Sequence, residues 1–269
     1  MIFQHPKKLR EHTSRLHQFG VPYKLTQTSG TSKLEFHGRR IMFSNSARIP
    51  LKYLYLFKQV KNEILKNTEN LEIPKYCVSD SNYFKFAPVI FDQMAGSFKG
   101  DILELDINKA YYTAALNLGY LSREFYEKCL DLPKQVRLVL IGSIATRRQI
   151  TEFKNGQKYI HHESNSKLRG IWFNIVNYVD NCLNDFAKLQ APNFLFYWVD
   201  GIYVINNPQL KSDLKIISEK YNFEFSNQKI EEMQILNFGE FRKVILYKNG
   251  DKKEFTTTRK VNFNPNEIC

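Results

Sequence analysis

The spacing of apolar residues along the second half of the chain predicts an α+β order of elements. Residues 102–107 (ILELDI) alternate apolar and acidic side chains as a strand does, and residues 109–119 are typical of a helix. From Ser166 to about residue 190, apolar residues recur in steps of three and four, which predicts one long amphipathic helix. Hairpin turns are predicted at Asn155-Gly156, at Asp200-Gly201 and at a late Asn-Gly.

The first 95 residues have a different pattern. A short basic helix is predicted over residues 5–19, a β-meander over 22–46, and a helix from Pro50 to about Asn67. We therefore predict a small basic α/β region at residues 1–95. Residues 96–269 are predicted to form a second domain, with helices packed on a mostly antiparallel sheet.

Composition and charge narrow the class of protein. The 269 residues include 39 Lys and Arg against 27 Asp and Glu, a net charge of +12, which favours a polyanionic partner such as DNA. The four cysteines are widely spaced, so neither a zinc site nor a disulfide framework is expected. No signal peptide and no apolar run of membrane-spanning length is found, so we expect a cytoplasmic protein without a membrane partner.

Two acidic residues lie at junctions between apolar elements. Asp106 stands where the predicted strand gives way to a helix, and Asp200 stands at the tip of an apolar hairpin. Each has an ordinary interpretation, Asp106 as a helix N-cap and Asp200 as half of an Asp-Gly turn. A carboxylate beside so much buried surface is costly unless it is paired or bound to a metal ion.

The residues around both acids resemble motifs of family B DNA polymerases. In LELDINKAYYTA, Asp106, Asn108 and Tyr111 match the Asp-x-Asn-Ser-Leu-Tyr motif of the protein-primed phage branch. FYWVDGIYV is similar to the family's Tyr-x-Asp-Thr-Asp-Ser-Ile-aromatic-Val motif, with Asp200 at the second Asp. Trp198 stands where that motif has its first Asp.

The resemblance covers roughly residues 95–250, and parts of the family are missing or reduced. A helix from Lys134 to Gly142 has the spacing of the family's middle motif, followed by the expected hairpin and long helix. The resemblance implies a polymerase palm with minimal fingers and no evident thumb. A protein partner that replaces the thumb or the primer is an open possibility.

The resemblance also implies the chemistry of the site. Asp106 and Asp200, with the carbonyl of Ile107, would hold two Mg²⁺ (or Mn²⁺) ions for template-directed DNA synthesis from nucleoside triphosphates. Tyr111 would pack under the incoming sugar and exclude a 2′-hydroxyl, although it could equally be a core residue. Lys134, or alternatively Arg137, would contact the triphosphate.

Basic residues outside these motifs suggest contacts with a DNA primer–template. Arg147, Arg148, Lys154 and Lys158 surround the predicted hairpin at residues 149–163, with aromatic residues between them. Lys243 belongs to a second basic cluster late in the chain. A solvated hairpin face is the simpler explanation of the first cluster.

Three other functions fit the same residues. DINKAY and WVDGIYV can also be aligned with reverse transcriptase motifs, although no Leu-Pro-x-Gly segment lies between them. A catalytically inactive palm that binds nucleic acid or serves as a scaffold would explain Trp198 and the missing thumb. A metal-dependent nuclease would need similar carboxylates.

Overall fold

The computed structural model describes residues 3–4, 7–28, 31–44, 53–73, 96–145, 148–238 and 241–258. The helices in this part of the chain are α1 (Lys7–Gln18), α2 (Leu54–Asn67), α3 (Ala110–Asn117), α4 (Arg123–Leu130), α5 (Lys134–Gly142), α6 (Ser166–Leu189) and α7 (Leu210–Tyr221). The strands are β1 (Phe3–Gln4), β2 (Tyr23–Gln27), β3 (Thr31–Phe36), β4 (Arg39–Ser44), β5 (Gly96–Ile107), β6 (Arg148–Lys154), β7 (Gln157–Glu163), β8 (Phe194–Trp198), β9 (Gly201–Ile205), β10 (Phe225–Phe238), β11 (Phe241–Lys248) and β12 (Asp251–Thr258).

The strands form two six-stranded sheets, with orders β1-β4-β3-β2-β6-β7 and β12-β11-β10-β5-β9-β8. Among the strands of the described residues, every pairing is antiparallel except that of β1 with β4. The predicted α+β class is therefore confirmed. Among the described helices, none is both long and apolar enough to span a membrane.

The chain divides into two compact units, each built from two segments. Unit 1 comprises Met1–Pro74 and Glu127–Trp172, and unit 2 comprises Lys75–Tyr126 and Phe173–Cys269. This division differs from the single boundary predicted after residue 95. The physical reason is that β6 pairs along its length with β2, from Tyr23 beside Phe153 to Gln27 beside Gln149, which ties the hairpin to the N-terminal sheet.

Unit 1 buries one side of its sheet against α1. The buried cluster contains Tyr23, Leu25, Leu34, Phe43 and Phe153, and the partly buried Leu9, Leu16, Phe36 and Ile41 pack against it. Because successive strand residues face opposite sides, this cluster leaves the alternate residues on the other side of the sheet. The helix contributes Leu9 and Leu16 from one stripe, as its amphipathic sequence predicts.

Unit 2 has β5 near the middle of its sheet, between β10 and β9. Leu103, Leu105 and Ile107 face one side of this strand, and Ile102, Glu104 and Asp106 face the other. Tyr197 of β8 is in register with Ile202 of β9, which is in register with Leu105, so these residues share one side of the sheet. The Tyr197 hydroxyl donates to Asp180 of α6 at 3.0 Å, which shows that α6 covers this side. The Asp106 side is therefore the side opposite α6.

Polar contacts join α6 to α3 and α7 within unit 2. The Asn117 amide donates to the Tyr221 carbonyl at 2.9 Å, and the Tyr178 hydroxyl donates to the same carbonyl at 3.1 Å. The Tyr221 hydroxyl donates to Asp185 at 2.6 Å. These bonds fix α3 relative to the long helix α6. Helix α3 begins at Ala110, shortly after Asp106.

Candidate active site

The structure places the two predicted acids side by side at one end of the unit 2 sheet. Asp106 is in register with Gly201 of β9, and the Ile107 N–H donates to the Asp200 carbonyl at 3.0 Å. The strand that carries Asp106 and the turn that carries Asp200 are therefore joined directly through the backbone. This juxtaposition comes from the β5–β9 pairing, which the sequence pattern did not specify.

The hairpin turn is shifted by one residue from the predicted Asp200-Gly201. Gly201 is the first residue of β9 and pairs with Trp198, so the two turn residues are Val199 and Asp200. Val199 has a φ of 61°, in the left-handed region that β-branched residues rarely adopt. Asp200 is thus held at the tip by a backbone conformation that the apolar sequence did not suggest.

A third carboxylate lies on the same side of β5 as Asp106. The Tyr203 hydroxyl donates to Glu104 Oε1 at 2.7 Å, and the Lys248 ammonium lies 3.4 Å from Glu104 Oε2. Burial raises the pKa of Tyr203 most, followed by the charges of Glu104, Asp106 and Asp200. Tyr203 is 2% exposed, so little water screens its neutral hydroxyl from these three carboxylates.

Glu104 was not identified from the sequence, although the strand pattern contained the signal. In LELDI, Glu104 and Asp106 are two residues apart and so must share one face of a strand. Its pairing with Tyr203 depends on the β5–β9 register, which brings Glu104 directly beside Tyr203.

The donor set around Asp106 and Asp200 fits a hard divalent cation. Both residues offer carboxylate oxygens, and Mg²⁺ is usually bound by one or two carboxylates together with substrate phosphates and water. Among the described residues, no group of three or more His, Cys, Asp or Glu side chains is close enough to form a metal cluster. Asp106 and Asp200 are the residues of this site whose carboxylates could hold such an ion.

Tyr111 lies in the electrostatic field of Asp200. It is half-buried in the first turn of α3, and burial raises its pKa most, followed by the charges of Asp200 and Asp180. Asp180 is 6% exposed and also accepts a hydrogen bond from the Asn184 amide at 3.0 Å. The sequence carries no signal for the burial of Asp180, because a single acid on a long helix ordinarily faces solvent.

The two candidate triphosphate-binding residues lie on α5, in unit 1. Lys134 is exposed at the first position of the helix, after Pro133. Arg137 instead donates through Nη1 to the carbonyls of Leu130 and Leu132, at 2.7 and 2.6 Å, at the end of α4. These bonds give Arg137 a capping role that the sequence did not indicate.

The predicted nucleic-acid contacts fall in different places. Arg147 lies outside the described residues, whereas Arg148, Lys154 and Lys158 are exposed on the β6–β7 hairpin of unit 1. Lys243 lies in unit 2, where its ammonium is 2.6 Å from Glu254.

Comparison of the sequence with protein-family models and with curated proteins found no match. The assignment of a function therefore depends on the geometry of the site.

Proposed function

We propose that unit 2 is a nucleotidyltransferase palm that extends a DNA primer along a template, with Asp106 and Asp200 as its metal-binding carboxylates. The observation that carries this proposal is the direct neighbourhood of the two acids. The hydrogen bond from the Ile107 N–H to the Asp200 carbonyl joins the end of a central strand to a hairpin tip. Phosphoryl transfer by two metal ions needs ligands that hold the ions about 3.5–4 Å apart, and carboxylates on neighbouring strands can supply them.

The reaction joins the primer 3′-hydroxyl oxygen to the α-phosphorus of a nucleoside triphosphate and releases pyrophosphate. Mg²⁺ ions held by Asp106 and Asp200, with the Ile107 carbonyl as a further ligand, would stabilise the negative charge on the attacking and leaving oxygens. A tyrosine is protonated at neutral pH even without a shift, and burial with the nearby carboxylates raises the pKa of Tyr203 further. Its hydroxyl therefore stays a donor to Glu104.

Primer extension tests this proposal directly. A labelled primer–template is incubated with the full chain, Mg²⁺ or Mn²⁺, and dNTPs, beside Asp106→Asn and Asp200→Asn. Each substitution removes a charge that holds the metal ion, so we expect the extension rate to fall by about 100-fold or more.

Asp101→Asn is the matched control. Asp101 lies on β5 as well, but it is exposed and bonds to Asn206 and Lys229. We expect this variant to keep its activity. Undiminished extension by Asp106→Asn would contradict the site assignment.

An inactive palm that binds nucleic acid is the second candidate function. Trp198 occupies the position of an acid in the polymerase motif. Among the described residues, no group of three or more His, Cys, Asp or Glu side chains could hold a metal ion. The same assay separates the candidates, because a polymerase lengthens the primer, a nuclease shortens it, and a scaffold leaves it unchanged. RNA templates in parallel reactions distinguish a reverse transcriptase.

A further inference from the structure

The positive charge of the chain is concentrated in one of its two units. Unit 1 contains 22 Lys and Arg against 9 Asp and Glu, a net charge of +13, whereas unit 2 contains 17 against 18, a net charge of −1. Together these give the +12 of the whole chain. The attraction to a polyanion therefore belongs to unit 1, and not to the unit that carries Asp106 and Asp200.

The side of the unit 1 sheet opposite α1 carries four of these cations in a regular array. Lys24 of β2 is in register with Glu35 of β3 and with Glu152 of β6. Arg40 lies beside Glu35, and Tyr159 lies beside Glu152. We call this surface the basic sheet face and define it as Lys24, Lys33, Glu35, Arg40, Glu152, Lys154 and Tyr159.

Each carboxylate of the basic sheet face is shared by two cations. Glu35 lies 2.7 Å from Lys33 and 3.0 Å from Arg40. Glu152 lies 3.4 Å from Lys24 and 3.5 Å from Lys154. The set thus holds four cations and two carboxylates. Since such surface ion pairs contribute about 0–1 kcal/mol, the cations can turn to phosphate groups at little cost.

An exposed aromatic ring adjoins these cations. Tyr159 is 44% exposed on β7, a strand whose side chains are exposed on both faces. The Lys154 ammonium lies 5.4 Å from the centroid of its ring, and its hydroxyl donates to Gln157 at 2.7 Å. Sheet surfaces that combine cations with exposed aromatic rings suit unpaired bases, because every base can stack on a ring.

We propose that the basic sheet face binds single-stranded nucleic acid, with its cations on the phosphates and Tyr159 stacked on a base. This surface goes beyond the catalytic proposal, since it lies in unit 1 and binds a strand whether or not unit 2 extends a primer. Duplex DNA suits it less, because paired bases are stacked on one another and cannot reach the ring.

The test is fluorescence anisotropy of a labelled 12-nucleotide single strand with the full chain, at several salt concentrations. The double substitution Lys24→Gln/Lys154→Gln removes two phosphate contacts. The negative slope of log affinity against log salt should therefore become shallower by about 1.4. Tyr159→Ala should weaken binding by about 10-fold or more, and Tyr159→Phe should bind like the unaltered chain. Lys211→Gln/Lys215→Gln removes the same charge from α7 of unit 2 and should leave the slope unchanged.

Several results would overturn the proposal. An equal change of slope in the Lys211/Lys215 control would show that overall charge, and not this face, attracts the strand. Unchanged affinity in Tyr159→Ala, or equal affinity for duplex DNA or heparin, would reject recognition of unpaired bases. Single strands of DNA and RNA are compared to identify the preferred sugar. Asp106→Asn should bind the strand normally, so failure of primer extension and failure of strand binding are distinguishable.

Discussion

Val199 shows how the local backbone is constrained beside the proposed catalytic acid. Its Cβ is branched, and a φ of 61° brings such a side chain close to its own backbone, at a cost on the order of 1–3 kcal/mol. The pairing of β8 with β9 and of β9 with β5 offsets this cost. The strained residue directly precedes Asp200, and strain of this kind concentrates at functional sites.

Relief of this strain is measurable. We predict that Val199→Gly raises the free energy of unfolding by about 1 kcal/mol, because glycine adopts a positive φ without steric cost. Urea denaturation of both chains provides the measurement. Asn249→Gly is the matched control, since Asn249 also has a positive φ in a hairpin turn, at 53°, but asparagine tolerates it. A less stable Val199→Gly chain would show that the side chain stabilises the turn.

Tyr111 is the residue through which sugar choice can be tested. It lies in the field of Asp200, five residues after Asp106 in the chain. We predict that Tyr111→Ala raises incorporation of ribonucleotides relative to deoxyribonucleotides, because the ring no longer excludes the 2′-hydroxyl. Competition between dNTPs and rNTPs in primer extension measures the ratio, and Tyr111→Phe, which keeps the ring, should preserve it. An unchanged ratio in Tyr111→Ala would make the tyrosine a core residue.

At the scale of elements, two cations bind backbone carbonyls where a helix ends. Arg137 donates to the Leu130 and Leu132 carbonyls after α4, and Lys167 donates to the Thr68 and Glu69 carbonyls after α2. The C-terminal end of a helix carries partial negative charge, so a cation placed just beyond it is favourable. Arg137 and Lys167 stand at such positions and also tie the chain that leaves each helix to another segment of unit 1.

This geometry separates the roles of the two basic residues of α5. We predict that Arg137→Ala lowers the free energy of unfolding by about 1–2 kcal/mol, because two carbonyls lose a charged donor. Lys134→Ala is the matched control and should leave stability within about 0.5 kcal/mol, since Lys134 is exposed. Thermal unfolding of both variants measures the two effects. An Arg137→Ala chain as stable as Lys134→Ala would contradict the capping role.

The elements that were predicted correctly are those with a regular local pattern. Helix α6 ends within a residue of its predicted end, and the β6–β7 hairpin turns at the predicted Asn155-Gly156. Strand β10 was missed, although it pairs with β5 along the site. Its register shifts between Ile230 and Glu232, so the buried Ile230, Met233 and Ile235 do not follow a period of two. This irregularity breaks the alternation of buried and exposed residues by which a strand is recognised in a sequence.

At the scale of the whole molecule, the sequence could not reveal which distant segments share a sheet. Both units are discontinuous in the chain, and β2 at residues 23–27 pairs with β6 at residues 149–153. Apolar alternation shows that each strand has a buried face but does not identify its neighbour. The same limit applies to the site, since the acids at residues 106 and 200 meet through a pairing of distant strands.

The division into units predicts that residues 96–269 do not fold fully as a separate domain. That fragment keeps β6 and β7 but lacks β2, so Phe153 loses the stacked ring of Tyr23, 5.5 Å away in the whole chain. An isolated two-stranded hairpin is marginally stable in water. We expect the amides of β6 to exchange with deuterium about 100-fold faster or more in the fragment than in the full chain. Adding residues 1–95 to the fragment should slow the exchange of the β6 amides. Full protection of these amides without residues 1–95 would instead support a single domain boundary after residue 95.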